Sequence, residues 1–75
     1  MGFELRTTSD LIQIVRAGGG ISVDAKLRTT SDLIQIARAA QMSRVNVIFR
    51  GMSLRMTADL IQIARAGNGH VTFEG

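Results

Sequence analysis

Arg6, Arg28 and Arg55 occupy the same setting three times: a guanidinium one or two residues ahead of a threonine, followed by a stretch with helical periodicity. A cation beside a helix N-terminus opposes the helix dipole, so none of the three gains anything locally. Set side by side with N-terminal amides and Thr hydroxyls, they would form an edge suited to phosphate or carboxylate. Binding of a polyanion or nucleic acid is the function such an edge implies. The plainer alternative is that each arginine pairs with a neighbouring aspartate or stays solvated. Readers of nucleic acid usually add aromatic stacking platforms or a strongly basic recognition helix. This chain has three Phe and no Trp or Tyr. Its basic residues, nine Lys and Arg against six Asp and Glu, are spread along the whole length. Nucleic acid is therefore the less favoured partner.

The other reactive residue types lack company. Gly18-Gly19-Gly20 looks like a phosphate loop, but such loops lead into a helix, whereas these glycines leave one and enter a strand. His70 is the single imidazole, with no Cys, carboxylate or second His at ligand or triad spacing. It reads as a surface residue at a strand start. The serines have no base nearby and no Gly-x-Ser-x-Gly elbow. Asp10, Asp32 and Asp59 fall at one identical place in each repeat, which suits a first-turn stabiliser. An active site needs different groups in different roles, and copies supply one group three times. No catalytic set, cofactor or metal is expected. The absence of Cys excludes disulfides, thiolate zinc sites and redox dithiols.

The elements that would position these groups come from an internal repeat. Residues 5–17 read LRTTSDLIQIVRA, residues 27–39 LRTTSDLIQIARA and residues 54–66 LRMTADLIQIARA, so the copies start 22 and then 27 residues apart. Identity this close points to recent duplication or deliberate design, with no need for an assigned activity in the latter case. Each block predicts an amphipathic helix. Leu11, Ile12, Ile14 and Val15 share one arc and Gln13 and Arg16 the opposite one, with the same arrangement in the later copies. Thr8, Thr30 and Thr57 are the expected N-caps, because Met56 replaces the first Thr of the pair in the third copy. Gly18 and Gly67 are expected just past their helices in left-handed geometry, while the middle helix should run on through Gln41 and Met42.

Between the blocks, residues 21–25, 45–50 and 71–74 alternate like strands, and Phe3-Glu4-Leu5 looks like the tail of a fourth. Ile21, Val23, Ala25, Val45, Val47, Phe49, Val71 and Phe73 point one way, and mostly polar residues point the other. The connections are too short for the chain to return, so neighbouring strands should be parallel. Right-handed crossovers then place every helix on one face. The predicted fold is α/β: three βα repeats (about 1–19, 20–43 and 44–69) plus a terminal strand 70–75, in a single domain 1–75. It would form either a short solenoid or a closed pseudo-three-fold unit.

The spacing Val47-x-Phe49-x-x-Met52-x-Leu54, followed by a helix, resembles a leucine-rich repeat, and the repeat period matches that family. The likeness covers most of the chain in apolar spacing and period. Met52 stands where that family places Asn, Cys or Thr, and Val23 to Leu27 is four residues where Phe49 to Leu54 is five. The resemblance implies a βα solenoid used for protein contact. Solenoids this short need polar caps, and none is visible. Self-association is therefore expected, most simply as a dimer, with strand ends joining within one chain or between chains. Ile48, alone among polar residues on its strand face, is the candidate centre of a contact surface. Met42, Met52 and Met56 are expected to fill the core. No leader or span is visible, so a cytoplasmic protein without membrane contact is the expectation.

Overall fold

A computed structural model describes residues 7–75. The chain runs α1 (Thr8–Arg16), β1 (Ser22–Asp24), α2 (Thr30–Ser43), β2 (Val47–Arg50), α3 (Thr57–Gly67) and β3 (Val71–Phe73). The three strands form one open sheet in the order β1-β2-β3, parallel throughout. β1 and β3 each pair with β2 and not with each other, so the described residues form a solenoid segment and not a closed ring. The strand expected at Phe3-Glu4-Leu5 lies outside the described residues.

The sheet has two unlike faces because its strands alternate. Val23 registers with Phe49, and Phe49 with Phe73, on the face that meets the helices. Val23 and Phe49 are fully buried, and the Phe49 and Phe73 rings lie 6.4 Å apart. Ser22, Ile48 and Thr72 make the matching row on the open face. The three helices lie side by side over the apolar face, α1 against α2 and α2 against α3. Leu11, Val15, Leu33, Ile36, Ala37 and Ile63 complete the core from the helix side.

Helix starts fall one residue earlier than expected. Thr7, not Thr8, caps α1, its hydroxyl accepting from the Asp10 amide at 3.1 Å. Thr29, not Thr30, caps α2, accepting from the Asp32 amide at 3.2 Å. The cap of α3 is Met56, not Thr57, and it offers no side-chain acceptor. A capping hydroxyl must reach an amide two or three residues on, and the first Thr of each pair has that geometry. The second Thr is thereby released for another use.

Helix ends also divide. α1 ends as expected, with Gly18 at φ 101°. α2 runs later, to Ser43, and closes on Arg44 at φ 57°, a left-handed position held by a residue with a Cβ. α3 continues through Gly67 and closes on Asn68 at φ 45°, so Gly67 is not the left-handed residue. Gly67 is required for space instead: a Cβ there would lie 2.7 Å from Val71 Cγ1.

The loops from strand to helix are built alike despite their unequal lengths. The Arg28 amide donates to the Ala25 carbonyl and the Arg55 amide to the Met52 carbonyl, both at 3.1 Å. Ala25 and Met52 are both buried. The additional residue of the second loop is Gly51, at φ 74°.

Candidate functional site

The arginines do not form an outward-facing edge among the described residues. Each of the two described ones reaches back to the repeat before its own. Arg28 Nη1 donates to Thr8 Oγ1 at 3.0 Å, and Thr8 Oγ1 donates in turn to Asp32 Oδ2 at 3.3 Å. Arg55 Nη1 donates to Thr30 Oγ1 at 2.9 Å. Arg55 Nη2 donates to the Ala25 carbonyl at 2.7 Å and also to the Arg28 carbonyl. The acceptors are the second threonines of the pairs, which capping leaves available. Arg28 and Arg55 are both half-buried. Arg6 lies outside the described residues.

This geometry explains a cation beside a helix start. The cost against the dipole is a fraction of a kcal/mol to about 1 kcal/mol, while a hydrogen bond from a charged donor contributes about 1.5–3 kcal/mol. Arg55, with three oxygen acceptors, also holds the loop before α2 against its own loop. The planar fork of arginine suits this use; a lysine would offer one point charge.

The remaining candidates stay apart. His70 is half-buried at the start of β3, where its main chain serves the ladder: the Val47 amide donates to its carbonyl at 2.9 Å. Asp10 and Asp32 supply the amides that their caps bind, and all three aspartates sit in first turns. Among the described residues no three His, Cys, Asp or Glu side chains gather as a metal site would need.

Ile48 lies half-buried at the middle of the open sheet face. Its neighbours are tied down by polar bonds: Arg50 Nε donates to Ser22 Oγ at 3.0 Å, and Thr72 Oγ1 to Asn46 Oδ1 at 3.4 Å.

Of the methionines expected inside, Met52 is buried, but Met42 and Met56 are 74% and 72% exposed. Met42 sits on the part of α2 that outruns the repeat, and Met56 precedes its helix, so neither reaches the sheet. Leu27 and Leu54, the first residues of their blocks, are 96% and 91% exposed. They line one shallow pocket of about 600 Å³ with Lys26, Ser53 and Arg55. Leu54 is the last apolar position of the leucine-rich-repeat spacing, so that slot does not fill the core. The missed signal was position: Leu27 and Leu54 lie midway round their turns, with buried Ala25 and Met52 already facing inward. A second groove, between α2 and α3, is lined by Ile34, Arg38, Gln41, Met42 and Arg65.

No known protein family, curated protein or solved structure matches the chain. Among the described residues no helix is long and apolar enough to cross a membrane.

Proposed function

We propose that this chain is a non-enzymatic structural and protein-contact module of the βα-solenoid kind, similar to leucine-rich repeats in apolar spacing and period and active as a homo-oligomer. One observation carries the reading: at both described junctions the repeated arginine is bonded to the second threonine of the repeat before it. The repeated arginine and the second threonine thus serve cohesion between repeats. Leu27 and Leu54 leave large aliphatic side chains outward, 96% and 91% exposed.

Binding of a polyanion through Arg28 and Arg55 is the competing reading, and a ligand would have to compete with those internal acceptors. Arg55→Gln separates the two. On the structural reading it lowers unfolding free energy by about 1.5–3 kcal/mol in urea titrations and leaves retention on heparin unchanged. Salt-sensitive retention on heparin that falls with Arg55→Gln at unchanged stability would favour the polyanion.

A further inference from the structure

The three copies of the helix differ in burial at matched positions, and the differences follow a direction. Leu11 and Leu33 are fully buried, but Leu60 is only half-buried. Val15 and Ala37 are fully buried, but Ala64 is exposed. Ile12 and Ile34 are half-buried, and Ile61 is 46% exposed. These positions are more deeply covered where another repeat follows. The opposite trend holds elsewhere on the helix. Ile36 and Ile63 are fully buried, but Ile14 is half-buried. Ala39 is buried and Ala66 half-buried, but Ala17 is exposed. Those positions are more deeply covered where another repeat precedes.

An internal junction therefore sets the Leu, Ile and Val or Ala of one helix against the Ile and Ala of the next. α3 presents the first half of a junction only partly covered, and α1 presents the second half only partly covered. The polar fastening shows the same gap. Thr8 and Thr30 each accept a guanidinium from the repeat that follows, and both are half-buried. Thr57, their equivalent, is exposed, and no described residue is bonded to its hydroxyl.

From this, and resting on the contact-module reading above, we infer that the oligomer forms head to tail: the α3 end of one copy receives the α1 end of a second copy. The new contact repeats the internal one, with Leu60, Ile61 and Ala64 covered by Ile14 and Ala17. Such a contact is heterologous. It adds copies until a ring closes, where a two-fold contact would stop at two.

The test is native mass by sedimentation over a concentration series on the full chain. The wild type should exceed 8.1 kDa with rising concentration. Ile61→Arg with Ala64→Arg blocks one end, and Ala17→Arg blocks the other. Each variant alone should be monomeric with a wild-type circular dichroism spectrum, and an equimolar mixture of the two should form a dimer and nothing larger. Should the α3 variant fail to fold, loss of assembly in Ala17→Arg carries the test by itself. A wild type that stays monomeric at high micromolar concentration would overturn the inference, while the Arg55 experiment would still judge the structural reading by itself. Assembly abolished by Leu27→Asp with Leu54→Asp, or by Ile48→Asp, but untouched by the end-blocking variants would also overturn it.

Discussion

α2 and α3 begin with nearly the same residues and have different surroundings. α2 is enclosed by a helix on each side, starts on a capping hydroxyl and buries Leu33, Ile36, Ala37, Ala39 and Ala40. Among the described residues α3 has one helix neighbour, starts on Met56 and buries only Ile63 and Gly67. A repeated residue thus acquires its energetic weight from the copy beside it. In a chain where each unit touches only its neighbours, the terminal unit loses one whole interface term.

The largest test of that contrast is Leu33→Ala against Leu60→Ala. Removing the enclosed leucine should cost about 2–5 kcal/mol, and removing the half-covered one less than half as much, measured by chemical unfolding in dilute solution. Equal costs would mean that α3 is as enclosed as α2. A smaller effect concerns the caps. Thr29→Ala should cost about 1 kcal/mol, and Met56→Thr should return about the same amount to α3. Slower amide exchange in the first turn of α3 would place that gain where it is expected. Smaller still, Arg44→Gly should stabilise α2 by about 0.5–1 kcal/mol, because Gly holds φ 57° without the Cβ conflict. Smallest of all, Leu27→Gln should move stability by no more than about 0.5 kcal/mol, since its side chain touches little within the chain.

Element type and strand direction were legible because periodicity and connection length speak to them directly. Ile21, Val23 and Ala25 alternate with Ser22 and Asp24, and the structure buries the first set. The late ending of α2 followed from Ala40 standing where the other copies have glycine. The helix starts were not legible to the residue. Two adjacent threonines both satisfy the composition of a cap, and only backbone geometry chooses Thr7 and Thr29. The site was less legible still. The sequence marks Arg28 and Arg55 as unexplained by their own helices, yet their acceptors stand 20 and 25 residues away. Spacing within one repeat carries no information about contacts between repeats. Gly67 misled for a related reason: glycine signals either a positive φ or a lack of room, and only the position of Val71 decides.

Gly51 has a consequence for how such a chain tolerates change in length. The turn from Met52 to Arg55 matches that from Ala25 to Arg28, so the surplus residue leaves the phase between strand and helix intact. A left-handed glycine ahead of a fixed turn acts as an expansion joint: the strand can gain a unit of length there while Arg55 still meets Thr30.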